Sequence, residues 1–282
     1  MSDSQNTISI TAADVNKLRS ITGAGMMDCK KALVEAGGDF ENAIDALRKK
    51  GQKVAANRSD RDATEGVVMA KTDQAGKRGV LLVVNCETDF VAKNAQFVEL
   101  VQRLTDIALS ESPSSIEEFR NLPFEGITIG DKLVEMMGKI GEKIDLSKYE
   151  SISSEKVVAY NHPGNRLATI VGFTKSGESV EHAAKQVAMQ VAAMSPIAVD
   201  KGDVDANTIE REIEIGKEQA RQEGKPEEML EKIALGKLNK FYKESTLLNQ
   251  ELIADNKKTV AQYLQSIDKE LTVTSFRRIS LS

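Results

Sequence analysis

Residues 79–94, GVLLVVNCETDFVAKN, constrain the fold of this chain more than any other stretch. Residues 80–84 form an unbroken aliphatic run, mostly β-branched, which predicts a strand that is covered on both faces. A polar step follows the strand, and Thr88 within it has the residue type and position of an N-cap for a short helical turn. The stretch therefore predicts a buried strand that leads directly into a helix.

A longer helix is predicted after Asn94, which offers a second N-cap. Apolar residues recur along one face of this helix at the helical period: Phe97, Leu100, Val101, Leu104, Ile107 and Ala108. Phe90 precedes this stripe, at the corner between strand and helix and beside an acid. By residue type alone it could lie in the core or project outward. The core is favoured, because most large apolar side chains are buried.

Length and composition limit the class of protein. A chain of 282 residues is long for one core, so two or more domains are expected. Its 40% hydrophobic and 29% charged residues are ordinary for a globular protein. No apolar run approaches the roughly 18 residues of a membrane span. The first ten residues lack the basic and apolar parts of a signal peptide, so we expect a cytoplasmic protein without membrane association.

Charge and aromatic content favour a protein partner over a nucleic acid. A net charge of −5 argues against broad binding to a phosphate backbone. The chain has no Trp and only 4% aromatic residues, which argues against a stacking platform for single strands. Cys29 and Cys86 lie far apart and argue against a disulfide scaffold, so both are expected to be buried.

The pattern of the chain predicts an α+β fold in several parts. Residues 1–55 carry three short helical patterns, the last ending at Gly51, and a polar linker reaches residue 64. Residues 65–150 form the first half of a core. Residues 151–200 and 245–282 form the second half, and the two halves repeat the order hairpin, then helix.

Two further elements belong to the second half. Residues 201–244 are an inserted hairpin of two charged helices, predicted to protrude on a thin apolar seam of Ile209, Ile213, Ala220, Met229, Ile233 and Phe241. The last strand is expected to return to the second sheet, with one face formed by Leu271, Val273, Ser275, Arg277 and Ile279.

No pattern of an active site is found. Neither His162 nor His182 has ligands at metal-binding spacing, and phosphate-loop, nucleophile-elbow and dinucleotide-binding patterns are missing. Cys86 could be a nucleophile, because it precedes a helix whose dipole would lower its pKa. A buried cysteine at a strand end is the commoner case. We therefore expect no catalytic residue, no metal and no cofactor.

Two long stretches resemble the signatures of one family. Residues 19–33, RSITGAGMMDCKKAL, resemble the N-terminal signature of the bacterial elongation factor Ts family. Residues 85–94, NCETDFVAKN, resemble its second signature. The Ile140-Gly141-Glu142 step, the turn with His162 and the helical hairpin match in order. The resemblance thus covers nearly the whole chain.

The resemblance implies a guanine-nucleotide exchange factor, not an enzyme, that binds the GDP-bound and nucleotide-free forms of elongation factor Tu. The implied fold is a three-helix, ubiquitin-associated-like domain in residues 1–55, a two-part α+β core with repeated hairpin-helix units, and an inserted coiled-coil hairpin. In the family an Asp-Phe pair enters the partner near its Mg²⁺ site and loosens the ion and the phosphate loop. That pair corresponds to Asp89 and Phe90, which makes an outward Phe90 the stronger expectation. The implied site comprises Thr88, Asp89, Phe90, Val91, Ala92 and Lys93.

Other family contacts carry over position by position. Arg19, Met26, Met27 and Lys30 match residues that touch the nucleotide-binding domain of the partner. Ile140 and Gly141 match a core contact near the phenylalanine, and His162 matches a histidine that meets the partner's third domain. By residue type alone, one or both methionines could pack in a core and His162 could be a solvated turn residue. Self-association through the helical hairpin stays open. The family's C-terminal helix, which clasps the partner, is not expected after Ser282.

Two other classes of function remain as alternatives. In one, residues 1–55 act as an adaptor and the rest is scaffold, so Asp89 and Phe90 are dispensable. In the other, the protein is an enzyme that depends on Cys86.

Overall fold

The N-terminal part of the chain is a unit of three helices. The computed structural model describes residues 9–281. The expectation that the chain begins without a signal peptide concerns mainly residues 1–8, which lie outside the described residues. The helices are α1 (Ala12–Thr22), α2 (Met26–Glu35) and α3 (Phe40–Arg58). A capping box of Thr11 and Asp14 opens α1. The helices enclose a small core of Val15, Leu18, Cys29, Ala32, Leu33 and Ala43.

The first half of the core is a three-stranded antiparallel sheet covered by helices. The predicted hairpin consists of β1 (Glu65–Thr72) and β2 (Arg78–Cys86). The chain then forms α4 (Asp89–Ala92), α5 (Ala95–Glu111), α6 (Ile116–Asn121), the short strands β3 (Pro123–Phe124) and β4 (Ile127–Thr128), and α7 (Ile129–Ile140). The apolar stripe predicted for α5 faces the core of this half.

A strand that sequence analysis did not predict completes this sheet. β5 (Asp145–Ser153) pairs with β2, which therefore lies in the centre of the sheet. β5 is an edge strand, and its sequence DLSKYESIS is mostly polar because much of it faces solvent. Such a strand lacks the apolar alternation by which half-buried strands are recognised.

Helix α3 extends beyond its predicted end. The prediction that it stops at Gly51 is wrong, and residues 52–58 of the predicted linker are helical. Gly51 is buried against α7, and a Cβ added to Gly138 of α7 would lie 2.7 Å from the Gly51 Cα. Gly51 therefore serves a close crossing of two helices and does not end α3.

The second half of the core repeats the hairpin and helix. β6 (Lys156–Asn161) and β7 (Leu167–Phe173) form the hairpin, and α8 (Glu178–Met194) follows. The charged hairpin consists of α9 (Ala206–Gln222) and α10 (Glu227–Ser245). The chain ends with β8 (Glu251–Leu252), β9 (Asp255–Thr259), α11 (Val260–Gln265) and β10 (Val273–Ser280).

The last strand returns to the second sheet, as predicted, and pairs there with β7, but its predicted face is wrong. The register of β10 against β7 shifts between Val273 and Ser275. Val273 and Phe276 pack with the core under α8, whereas Ile279 packs on the other side of the sheet. A bulge adds one residue to a strand and so reverses the faces of the residues that follow it.

The predicted seam of the helical hairpin is wrong at Met229, which is exposed. Ala220 is buried, and the other four predicted residues are half-buried. The buried residues are Gly216, Ala220, Leu230, Ala234 and Leu238. Gly216 lies against Ala234, so the two helices approach through small side chains.

The two halves of the core pack sheet against sheet. Their shared apolar layer includes Val68, Ala70, Leu81 and Val83 from the first half and Val157, Ala168, Ile170 and Ile279 from the second. At the edge of this layer the Asn161 amide pairs with the backbone of β1. Its Oδ1 accepts from the Ala70 N–H at 2.8 Å, and its Nδ2 donates to the Ala70 carbonyl at 2.9 Å.

Candidate partner-binding site

Phe90 projects from the protein on the single turn of α4. Its side chain is 83% exposed, so the position in the core favoured by residue type alone is wrong. Val91 and Ala92 pack against the first half of the core and turn the opposite side of α4, with Phe90, toward solvent. An aromatic side chain in this position is available to a partner.

Asp89 lies beside Phe90 as an ionised carboxylate. Its Oδ2 accepts a hydrogen bond from the Lys93 Nζ at 2.6 Å. This hydrogen bond is the main cause that holds the pKa of Asp89 below its ordinary value of 3.8. The α4 turn thus presents an aromatic ring and an anion next to each other.

Cys86 lies directly beneath this turn. It is buried, and its Sγ donates to the Thr88 carbonyl at 3.2 Å. Burial, and secondly the charge of Glu142, raises the pKa of the Cys86 thiol to about 12. Because the nucleophile would be a thiolate, this environment argues against the hypothesis of a cysteine-dependent enzyme.

Two carboxylates join the start of α4 to the turn that follows α7. Glu142 Oε2 accepts from the Thr88 N–H at 3.0 Å, and Glu142 Oε1 accepts from the Thr88 hydroxyl at 2.7 Å. Glu87 accepts from the Lys143 N–H at 2.7 Å and from Arg58 Nη1 at 2.8 and 3.0 Å. The Lys143 N–H, and secondly the Arg58 guanidinium, lowers the pKa of Glu87.

No pattern in the sequence predicts a role for these two carboxylates. They lie far apart in the chain, and each pairs with a backbone N–H that no residue pattern marks. The remaining signal is their position, since each acid lies at a corner where a strand or a helix has just ended.

Ile140 and Gly141 precede Glu142 and so lie close to the α4 turn. Ile140 packs at the border of the core. Gly141 ends α7 with a left-handed φ of 81° and donates to the Met137 carbonyl at 2.8 Å. This conformation, which favours glycine, directs the chain toward Thr88.

The residues predicted in the N-terminal unit are exposed. Met26 is 53% and Met27 is 74% exposed, so neither methionine packs in the core, and Arg19 and Lys30 also lie on the surface. Lys139 of α7 connects this region to the start of α5. A Cβ at Gly23 would lie 3.1 Å from the Lys139 Nζ, which donates to Gln96 Oε1 at 3.0 Å near the start of α5.

His162 lies on the second half of the core. It is exposed in the turn after β6, and its Nδ1 lies 2.9 Å from the Tyr160 hydroxyl. The side chains of Met189, Ile253 and Arg278 line a surface groove together with these two residues. His162 thus belongs to a different surface region from the α4 turn.

Within residues 9–281, no group of three or more His, Cys, Asp or Glu side chains is arranged to hold a metal ion. No helix in this range is both long and apolar enough to cross a membrane.

Comparison with known proteins supports one family. The family model described as Elongation factor TS matches residues 87–282. The elongation factor Ts of Cytophaga hutchinsonii is 54% identical over 275 residues, which cover 97% of this chain and 99% of that protein. That of Christiangramia forsetii is 52% identical over 272 residues, covering 96% and 98%. That of Porphyromonas gingivalis is 48% identical over 279 residues, covering 98% and 99%. This chain therefore belongs to the elongation factor Ts family.

Proposed function

We propose that this protein acts in translation elongation as the guanine-nucleotide exchange factor of elongation factor Tu. It binds the GDP-bound partner in the cytoplasm and promotes release of GDP, so that GTP can bind. The observation that carries the proposal is the exposed Phe90 beside an ionised Asp89, on a turn fixed to the core. Similarity along nearly the whole chain to proteins named elongation factor Ts supports it.

Phe90 supplies binding free energy at the site of exchange. Burying a Phe side chain against a partner removes about 150–250 Å² from water, and aromatic residues in such positions often dominate an interface. In the free protein this surface is already exposed, so its burial contributes to the complex without opening the core.

Exchange also requires that the factor distinguish two states of its partner. It must bind nucleotide-free partner more tightly than GDP-bound partner, and GDP then weakens the factor by the same ratio. We propose that Phe90 enters between helices near the Mg²⁺ site and that Asp89 approaches the ion and the phosphates. A carboxylate there repels the phosphates and competes for the ion, which favours the nucleotide-free state.

Asp89 is free to change partners in this step. Its hydrogen bond with Lys93 joins two largely exposed side chains, and water screens the attraction in such ion pairs. The partner can therefore replace Lys93 at small cost. Thr88, Val91 and Ala92 hold the turn on the core while Asp89 and Phe90 make the contact.

The remaining predicted residues extend the interface. We propose that Arg19, Met26, Met27 and Lys30 contact the same nucleotide-binding domain, that Ile140 and Gly141 support the α4 turn, and that His162 contacts the third domain.

We also propose the division into a ubiquitin-associated-like domain in residues 1–55, core subdomains in 65–150 and in 151–200 with 245–282, and an inserted hairpin in 201–244.

Release of a fluorescent GDP analogue from elongation factor Tu tests the proposal. Wild-type protein is expected to accelerate release, and Phe90→Ala to lose most of the acceleration, about 10- to 100-fold, as expected for an interface residue of this kind. Asp89→Ala is expected to lose part of it. The thermal unfolding midpoint of Phe90→Ala should match wild type, because the side chain is exposed.

Leu235→Ala is the matched control, since it also removes a large exposed apolar side chain, on α10. It should release GDP at the wild-type rate. A wild-type protein that leaves release at the spontaneous rate would contradict the proposal. Full activity of Phe90→Ala would favour the adaptor hypothesis, and loss of activity only in Cys86→Ser would favour the cysteine enzyme.

A further inference from the structure

Two turns of the first half of the core are joined by reciprocal hydrogen bonds, in each of which a carboxylate of one turn accepts from a backbone N–H of the other. Glu87, just before α4, accepts from the backbone N–H of Lys143 in the turn after α7. Glu142, in that turn, accepts from the backbone N–H of Thr88 at the start of α4. Each turn thus satisfies a backbone donor of the other, and the two turns form one unit.

Glu142 also fixes the side chain of the α4 N-cap. A threonine hydroxyl has one proton and two lone pairs. The Thr88 hydroxyl donates its proton to Glu142 Oε1 at 2.7 Å and accepts from the Val91 N–H at 3.4 Å. Because its proton is committed to Glu142, its lone pairs face the helix. Glu142 therefore sets the rotamer that caps α4.

Helix α4 depends on this support. It has only four residues, none of them fully buried, and a single helical turn has little stability of its own. Its direction is set by its N-cap and by the contacts of Val91 and Ala92 with the core. A change at the cap therefore changes where Phe90 points.

We propose that Glu142 is a positioning residue for nucleotide exchange, because it holds Thr88 and so fixes the direction in which Asp89 and Phe90 leave the core. This inference rests on the proposed exchange function. Glu87 supports it from the other side, since it holds the turn of Lys143 and is itself held by Arg58 of α3.

The role of Glu142 has a kinetic signature. Surfaces of the N-terminal unit and of the second half of the core, which the proposed function also assigns to the partner, do not depend on Thr88. Initial association therefore stays nearly unchanged when Glu142 is lost. A turn that must be ordered during the reaction slows the insertion of Phe90, so the maximal rate of GDP release falls.

The experiment measures GDP release from elongation factor Tu at increasing concentrations of wild type, Glu142→Ala, Thr88→Val, Thr88→Ser and the double variant Thr88→Val/Glu142→Ala. Glu142→Ala is expected to lower the maximal rate about tenfold, the scale of a hydrogen bond to a charged group. Its half-saturating concentration should stay within about twofold of wild type. Thr88→Ser, which keeps the hydroxyl, should be faster than Thr88→Val.

The double variant tests whether Glu142 acts through Thr88. The two changes share the hydrogen bond between the Thr88 hydroxyl and Glu142, so the double variant should lose less than the product of the two single losses. Losses that multiply in the double variant would overturn the inference, since Glu142 would then act by another route. A Glu142→Ala protein as fast as an active wild type would also overturn it and leave the exchange function intact.

Two further variants complete the test. Glu142→Gln keeps the shape and an acceptor for the Thr88 N–H, so it should be folded and have an intermediate rate of GDP release. A rate equal to that of Glu142→Ala, together with a raised half-saturating concentration, would contradict the positioning role. Glu155→Ala removes an exposed carboxylate paired with Lys77 at 3.4 Å and should behave as wild type. No acceleration by wild type would instead refute the proposed function itself.

Discussion

Cys86 and Phe90 lie four residues apart and have opposite environments. The Cys86 thiol is buried under the α4 turn, and Phe90 is exposed above it. Residue type predicts burial for both, and it is correct for the cysteine only. The side chain of Phe90 turns outward because Val91 and Ala92 occupy the core side of α4. Which of these side chains faces the core depends on how α4 packs, and residue type alone does not show it.

Cys86 makes stability depend on pH in the alkaline range. Its pKa is about 12 in the folded protein, compared with an ordinary value of 9.0. The folded chain therefore keeps a proton that the unfolded chain loses between these values. The stability that Cys86 contributes is fully present below about pH 9 and is lost as the pH rises toward 12.

We accordingly expect the free energy of unfolding of wild type to fall more steeply from pH 9 to 11 than that of Cys86→Ala. Urea unfolding at a series of pH values measures both. Parallel curves would show that the thiol ionises equally well in the folded and unfolded chains.

At the scale of elements, the crossing of α3 and α7 depends on two glycines. Gly51 and Gly138 bring the two helix backbones together, and α3 also supplies Arg58 to Glu87. The N-terminal unit is thereby joined to the part of the core that carries the α4 turn. This arrangement weighs against a unit that acts alone as an adaptor.

Replacement of glycine by alanine should have opposite effects on stability at the crossing and at an open site on α10. Gly138→Ala should lower the free energy of unfolding by about 1–3 kcal/mol, because the new Cβ meets the backbone of Gly51. Gly236→Ala in α10 should raise it by up to about 1 kcal/mol, because nothing lies within 4 Å of the new Cβ and Ala favours a helix. Chemical denaturation measures both variants, and equal effects would argue against the close crossing.

The helical hairpin is closed at its base by the backbone of the core. The Ile197 N–H donates to the Ser245 carbonyl at 2.9 Å, and the N–H groups of Leu247 and Leu248 donate to Ala198 and Val199 at 3.0 and 2.9 Å. These bonds do not require the rest of α9 and α10.

Replacement of residues 209–238 by a short Gly-Ser linker should therefore leave the core folded, with a thermal midpoint within a few degrees of wild type. Exchange should stay within about twofold of wild type, since the α4 turn is untouched. Calorimetry and GDP release measure the two effects. A severe loss of exchange in a folded variant would place a partner contact on the hairpin.

The sequence predicted elements best where one periodic pattern met one apolar surface. The stripe of α5 and the hairpins of both halves are such cases. β5 was not predicted, because an edge strand needs few apolar residues. The predicted faces of β10 were wrong, because nothing in its residues marks the bulge. The resemblance predicted Asp89 and Phe90 as site residues, whereas the contacts of Glu87 and Glu142 join distant turns and no residue pattern marks them.

At the scale of the whole molecule, the two halves meet through a thin apolar layer bordered by a polar contact. The Asn161 amide satisfies both backbone groups of Ala70 at the free edge of β1. This contact aligns the two sheets and, with them, the surfaces that carry Phe90 and His162.

Asn161→Ala should lower the free energy of unfolding by about 1–2 kcal/mol, because it leaves the Ala70 backbone without its partners. Asn161→Asp, which keeps the acceptor and loses the donor, should fall between this variant and wild type. Urea unfolding measures both, and a wild-type value for Asn161→Ala would show that the two sheets are aligned without this contact.

The return of β10 to β7 affects how the protein is made. Phe173 of β7 pairs with Val273, which the ribosome adds about 100 residues later. At about 5–20 residues per second, the aliphatic edge of β7 remains open for some 5–20 s. During that time it resembles the exposed strand edges that lead to aggregation. The helices α9 and α10 are synthesised within the same interval, so the nascent chain gains many charged side chains of both signs while its second sheet is still incomplete.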